Sequence, residues 1–252
     1  MEIEVDRVSS NAAEFDAETD DVFSRIASRY DRLCDIFSLL AHRYWKRSMA
    51  GRISRDPGAV VLDVASGTGD IALRVASRQM GRPKRIIASD ICPEMLAIAR
   101  AKAVARQLSL EFGHLDAHRL TEVADASIDA YAISFGLKIC DRRLVLGEAL
   151  RVLRPGGSMF CLEASRIPLN FINAAYLRYM DWCLPLIARI ATRGDRGAYD
   201  YLLRGIHEFP GAVDLASEFE EAGFVDVTYT YLTFGIVALH IARKPGPSEL
   251  GR

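Results

Sequence analysis

The chain has 252 residues, half of them hydrophobic, and a formal net charge of −1. That length suits one large α/β domain or a medium domain with insertions, the apolar content excludes wholesale disorder, and the charge balance leaves no broad footprint for nucleic acid. The five cysteines (Cys34, Cys92, Cys140, Cys161 and Cys183) are scattered, with no Cys-x-x-Cys pair and no His/Cys ligand spacing, which speaks against a disulfide framework or a metal site and for a reducing compartment.

In chain order, residues 1–20 read as a flexible acidic tail without the apolar centre of a signal peptide. No run of roughly 18 uncharged apolar residues follows, so a cytoplasmic, non-spanning chain is expected. From Val22 to Met49 apolar positions recur at helical spacing with Arg and Lys between them, predicting one or two amphipathic helices. Gly51 and Pro57-Gly58 end that pattern. Strand-like runs then fall at 59–64, 85–89, 108–112, 128–134 and 158–163, separated by helical patterns at about 70–80, 94–106 and 141–153. Such alternation predicts a doubly wound, largely parallel sheet. Arg154-Pro155-Gly156-Gly157 is read as a sharp turn that stops the last of these helices. Residues 169–222 are mostly helical in pattern, and β-rich runs around 225–232 and 235–243, parted near Thr233, predict an antiparallel hairpin at the sheet edge.

The central motif is Val60-Val61-Leu62-Asp63-Val64-Ala65-Ser66-Gly67-Thr68-Gly69-Asp70, an apolar strand running into a Gly-x-Gly turn that opens a helix. Glycine lets the backbone turn tightly and approach a ligand. Asp90 ends the second strand-like run, where an acid suits the two hydroxyls of a ribose. Residues 67–72 also satisfy the dinucleotide pattern G-x-G-x-x-[GA]. Charge separates the two readings: a pyrophosphate wants helix N-terminal amides and no nearby anion, whereas Asp63 and Asp70 flank this loop and favour the ammonium group of a methionine moiety. S-adenosylmethionine is therefore preferred to NAD. Asp116, after the third run, is placed to meet an adenine amino group, with an ordinary turn acid as the plain alternative. Ser134-Phe135-Gly136-Leu137 ends the fourth run, at the edge where doubly wound sheets bind ligands.

With these residues the chain resembles the C-methyltransferases of ubiquinone and menaquinone biosynthesis, from about Val22 to about Ala242. The more specific matches lie outside the cofactor loop. They comprise Tyr30-Asp31, Asp35, Ser38, His42, Trp45 and Lys46 near the N-terminus, Ser134-Phe135-Gly136-Leu137, and then Tyr199, Tyr201-Leu202, His207, Pro210, Ala222-Gly223-Phe224, Gly235, Val237 and His240; Arg151 to Gly157 also matches, through an Arg-Pro-Gly-Gly element that many methyltransferases share. The resemblance implies a Rossmann-like class I methyltransferase, an α/β fold with a seven-stranded, mostly parallel sheet, helices on both faces and a C-terminal antiparallel hairpin. It implies that Thr68, Asp90, Asp116 with Ala117, and Ser134 contact S-adenosylmethionine; Asp63, Gly67 and Gly69 join them as cofactor candidates on the loop's own glycines and charge. After Ser-Phe-Gly-Leu the family carries arginine and asparagine, the arginine near the ring to be methylated; this chain has Lys138-Ile139. Lysine keeps the charge but not the planar fork, and Cys34 stands where asparagine is usual.

The domain expectation is a tail over 1–20, a methyltransferase domain over 21–244 with an N-terminal helical cap at 21–50 and a helical lid at 168–210, and a tail over 245–252. Methyl transfer to a quinol carbon needs alignment, exclusion of water and stabilisation of a phenolate, with no metal. Lys138 is the first candidate for the stabilising cation, His207 and Tyr199 the second; His42 either lines the pocket or anchors its helix. The aromatic stretch Phe171–Ala191 reads as core or as a lid over a greasy substrate. Expected partners are a lipophilic aromatic or quinol substrate, a membrane surface contacted peripherally, and a second copy in a homodimer. The alternatives are a methyltransferase of another small aromatic and a non-catalytic subunit of a quinone-biosynthesis complex.

Overall fold

The computed structural model describes residues 23–53, 56–168, 171–178 and 209–249. A 3-10 turn, Ala27–Arg29, leads into α1 (Tyr30–Phe37) and, past a corner, α2 (Ala41–Arg52). The corner is made by Leu39 and Leu40, both left-handed with φ of 48° and 68°. There follow β1 (Val60–Val64), α3 (Asp70–Ala76), β2 (Arg85–Asp90), α4 (Pro93–Ala105), β3 (Glu111–His114), β4 (Ile128–Ser134), α5 (Arg142–Val152), β5 (Leu153–Ala164), α6 (Ala212–Ala222), β6 (Val225–Leu232) and β7 (Val237–Arg243). The helix starts are locally encoded. Pro93 occupies the first turn of α4, and the Asp141 side chain accepts the Arg143 and Leu144 amides at the start of α5.

The strands form one seven-stranded sheet in the order β3-β2-β1-β4-β5-β7-β6. β1 to β5 pair in parallel, and β7 runs antiparallel to both β5 and β6. The chain winds outward from β1 to β3, then returns to place β4 on the other side of β1. That reversal opens a crevice at the carboxyl ends of β1 and β4. Alternation along each strand divides the core. Leu62, Val64, Tyr131, Ile133, Met159 and Cys161 face α5 and α6 through Val145, Leu146, Leu215 and Phe219. Val61, Ala130, Ala132, Phe160 and Leu162 face α2 and α3 through Trp45, Met49, Ile71 and Val75. Both faces are covered, which is why the strands read as nearly continuous apolar runs.

Three local expectations are corrected. The third strand forms over Glu111–His114 rather than 108–112 because α4 ends at Ala105, Gln107 turns left-handed (φ 53°), and Leu108 and Leu110 pack against the core before β2 offers a partner. The first crossover helix stops at Ala76, where Ser77 closes it. Arg154-Pro155-Gly156-Gly157 is the bulged start of β5, not a separate turn. Ile128 faces Leu153 while Ala130 faces Ser158, and Gly156 (φ 81°) and Gly157 exchange backbone hydrogen bonds with Lys244.

Candidate functional site

The crevice at the switch point is lined from five directions: Phe23 and Tyr30 before and in α1, Ala65 and Gly67 after β1, Asp90 to Cys92 after β2, Leu115 to His118 after β3, and Ser134 to Gly136 with Ile139 and Cys140 after β4. The loop after β1 is left-handed at Ala65, Gly67 and Gly69 (φ 48°, 55° and 80°). A Cβ on Gly69 would stand 2.9 Å from the Ala99 Cβ of α4, and one on Gly136 would stand 2.7 Å from the Ala65 Cβ. Two segments remote in sequence therefore close on this loop only because those positions lack side chains.

Asp90 holds the crevice open in a defined shape. Its Oδ2 accepts the Gly67 amide at 2.7 Å and its Oδ1 the Cys92 amide at 2.9 Å, and the residue remains at the cleft wall. Asp116 accepts both the His118 amide and His118 Nδ1 at 2.8 Å; the ring's bond is the main reason its carboxyl is held below the usual range. Asp116 draws His118 toward its cationic form. Yet Nε2 accepts the Asp141 amide at 2.9 Å, so the ring that fits is the neutral one with its proton on Nδ1. Ala117 and Ser134 also line the cleft, and Ser134 Oγ is buried with no partner among the described residues.

The other three expected cofactor residues do not line it. Gly69 caps α3. Thr68 turns its hydroxyl to the N-terminal helix, donating to Asp31 Oδ1 at 2.6 Å. Asp63 is fully buried beneath the loop. Its Oδ2 accepts the Ala72 amide at 3.0 Å, its Oδ1 has no partner among the described residues, and burial, only partly offset by that amide and Lys46, pushes it up to about 7. Asp70 differs from the sequence expectation in its surroundings. It bonds Lys46 at 3.0 Å with Lys102 at 3.9 Å. Burial alone would raise it, but Lys46, Lys102 and Arg74 outweigh that and hold it at about 2. Its charge is thus answered within the protein.

Lys138, in the 3-10 turn Leu137–Ile139, points inward. Its Nζ lies 3.3 Å from Glu163 Oε1, donates to the Phe135 carbonyl and sits 5.4 Å from the Phe135 ring centre. Glu163 was not singled out from the sequence, although a lone acid closing the apolar run Met159-Phe160-Cys161-Leu162 was a signal. Tyr30 and His118 were also passed over as cleft residues. His42 accepts or donates through Nδ1 to Ser38 Oγ at 2.9 Å and stands 3.7 Å from Asp35; it braces the α1–α2 corner and does not line the cleft. His207 and Tyr199 lie outside the described residues, as does the stretch 179–191. No cluster of three metal-binding side chains occurs among the described residues.

S-adenosylmethionine fits these residues on structural grounds: two acids and an adjacent small residue on successive strand ends, a glycine beside them, and at the cleft residue Ser134 a buried hydroxyl with no partner among the described residues.

The model of the ubiE/COQ5 methyltransferase family matches residues 11–244. The ubiquinone/menaquinone biosynthesis C-methyltransferase UbiE of Brucella anthropi is 41% identical over 229 residues, covering 89% of this chain and 86% of that protein. The UbiE of Brucella abortus is 40% identical, covering 89% and 84%. Among solved structures, an S-adenosylmethionine-dependent methyltransferase of Thermotoga maritima, described as a possible histamine N-methyltransferase, superposes with a TM-score of 0.60 at 18% identity, covering 89% of this chain and 98% of that one. A putative methyltransferase in complex with the Haloferax volcanii Trm112 activator gives 0.59 at 20% identity, covering 88% and 97%. At those identities the two structures speak for the fold alone.

Proposed function

The chain belongs to the ubiE/COQ5 methyltransferase family, and from that premise we propose that it transfers a methyl group to a ring carbon of a prenylated quinol in ubiquinone- or menaquinone-type biosynthesis. It is an S-adenosylmethionine-dependent methyltransferase. The observation that carries the substrate reading is the juxtaposition, at the β1/β4 switch point, of this cleft with the buried cation of Lys138, whose chain neighbours Gly136 and Ile139 line it while Lys138 itself does not.

When bound, S-adenosylmethionine supplies an activated methyl group for in-line displacement. The chain's own residues do the rest. We assign Asp90 to the ribose hydroxyls, Asp116 and Ala117 to the adenine, and Ser134 and the Gly67 wall to the methionine moiety, with Asp63 and Gly69 shaping the loop from behind. Phe23 and Tyr30 cover the cleft and exclude water, which strengthens every charge inside it. Lys138 is the group we assign to stabilising the phenolate that makes the ring carbon nucleophilic; His207 and Tyr199 remain candidates for moving its proton.

The test is turnover of S-adenosylmethionine with a demethylated prenyl quinol kept reduced, read by mass spectrometry. One methyl should appear on ring carbon and be lost in Asp90→Ala. A second reading, methylation of another small aromatic, is favoured by Lys138-Ile139 replacing the family's arginine and asparagine. Quinol product arising only in Lys138→Arg/Ile139→Asn would establish that second reading and sink the first.

Two partner proposals accompany this. Peripheral membrane contact is supported by exposed Leu39, Leu40, Tyr44 and Phe234 (the last 90% exposed). A homodimer is supported by β6, the terminal strand of the sheet, which exposes Tyr229 and Tyr231.

A further inference from the structure

We propose that Glu163 is the positioning residue for Lys138, clamping the turn after β4 and aiming its ammonium group at the acceptor ring. The inference rests on the quinol-methyltransferase reading and adds to it a second residue that touches neither cofactor nor ring.

The clamp is bidentate. Oε2 of Glu163 accepts the Lys138 amide at 3.2 Å, while Oε1 faces Lys138 Nζ at 3.3 Å and accepts the Ala164 amide at 2.9 Å. One carboxylate therefore holds the main chain and the side chain of the same residue and ties both to its own strand end. The side chains of Lys138 and Glu163 are 6% and 1% exposed. The turn needs such a hold. Phe135 is left-handed (φ 59°), its amide still donates to Leu162 at 2.8 Å, and Gly136 is pressed against Ala65. The chain thus leaves the sheet under strain exactly one residue past the Ser134–Leu162 pair.

Stability alone does not call for this pair. A buried ion pair is often matched or bettered by apolar residues of the same volume, because both charges must be desolvated. Its position gives it a use. An arginine orients itself through a planar fork of donors, whereas lysine is a point charge on a flexible stem. With Lys138 in this turn, orientation has to come from neighbours: two of the three ammonium donors are directed to Phe135 O and Glu163 Oε1, leaving one. Misplacing a group that stabilises developing charge lowers rate far more than binding.

The experiment compares Glu163→Gln, Glu163→Asp, Lys138→Met and the double variant Glu163→Gln/Lys138→Met. The readouts are quinol turnover, S-adenosylhomocysteine affinity and the rate at which Lys138 is acylated by an amine-reactive ester, read by peptide mass spectrometry. Glu163→Gln should lower kcat about 100-fold, leave S-adenosylhomocysteine affinity within about 2-fold, and raise Lys138 acylation several-fold. Glu163→Asp, which keeps the charge, should recover most of the turnover. The double variant should be no slower than Lys138→Met, because Glu163 acts through that lysine. Unchanged turnover and acylation in Glu163→Gln would overturn the proposal, as would a double variant much slower than Lys138→Met. Normal turnover in Lys138→Met would remove the role of Lys138 itself. If no quinol is turned over by the native protein, acylation still decides whether Glu163 positions Lys138. Should Glu163→Gln fail to bind S-adenosylhomocysteine, native-like turnover in the double variant would equally overturn it.

Discussion

Asp63 and Asp70 flank one glycine loop, yet the protein drives them in opposite directions. Asp70 meets Lys46 and Lys102 and stays ionised down to about pH 2, whereas Asp63, buried with a single amide donor, is raised to about 7. A folded-state pKa above the unfolded one means that the native state binds its proton more tightly. The stability Asp63 contributes is therefore complete below the unfolded value near 4 and is lost as pH rises through about 7. The difference amounts to ~4 kcal/mol between the two limits. Urea unfolding of the native protein and Asp63→Asn at pH 5 and pH 8 checks this: the variant should gain on the native protein at pH 8. Parallel stabilities at both pH values would show that Asp63 does not titrate there. The sequence could place both acids beside the loop. It could not tell them apart, because what distinguishes them is Lys46 and Lys102, brought in from α2 and α4 by packing.

At the scale of elements, α1 is held over the cofactor loop by a small polar latch. Asp31 accepts the Thr68 hydroxyl and pairs with Lys102, whose Nζ also donates to the Thr68 carbonyl at 3.3 Å. Tyr30 lies beside Gly67, its ring carbon 3.9 Å from where a Cβ would be, and its hydroxyl is raised well above the usual value by Cys34 and by burial. Asp31 is 44% exposed in its side chain, so solvent screens the pair and its loss should cost about 1 kcal/mol. Asp31→Ala should accordingly weaken S-adenosylhomocysteine binding roughly 5-fold and speed amide hydrogen exchange across Tyr30–Phe37. Exchange unchanged in that helix would mean the apolar contacts of Phe23, Ile26 and Leu33 hold it without the latch. The helix itself was legible in the sequence from its apolar spacing. Its seat was not, since Asp31 and Thr68 are distant in sequence and nothing local to either says that the two meet. The bulged start of β5 was missed for a related reason: Pro-Gly-Gly signals a turn locally, but hydrogen bonds from Lys244 draw it into the sheet.

For the whole molecule, no helix among the described residues is long and apolar enough to cross a membrane. Some of the exposed apolar residues nevertheless lie on two elements that meet. Trp45 Nε1 donates to Thr233 Oγ1 at 2.7 Å, which brings α2, with Leu40 and Tyr44 beside Arg43 and Arg47, up to the hairpin turn carrying Phe234. Apolar side chains flanked by arginines suit the surface of an anionic bilayer. The protein should float with anionic phospholipid vesicles, and Leu40→Glu/Phe234→Glu should stay at the bottom of the gradient with its turnover of a short-chain quinol intact. A native protein that never floats would remove the membrane proposal, and sedimentation of the same samples as a single-copy species would remove the homodimer.

The sequence by itself determined the strand–helix alternation, the hairpin at the end, the glycine loop and the acids or hydroxyl on four successive strand ends, because each depends on periodicity or on a residue's own backbone preference. Packing settled which acids reach the cleft, that ionised Asp70 is already paired with Lys46, that the N-terminal helix closes over the loop, and that Lys138 is gripped by Glu163. Those depend on which charges and backbone amides the fold carries from distant positions into one low-dielectric crevice, where a neighbour a few ångströms away outweighs anything adjacent in the chain.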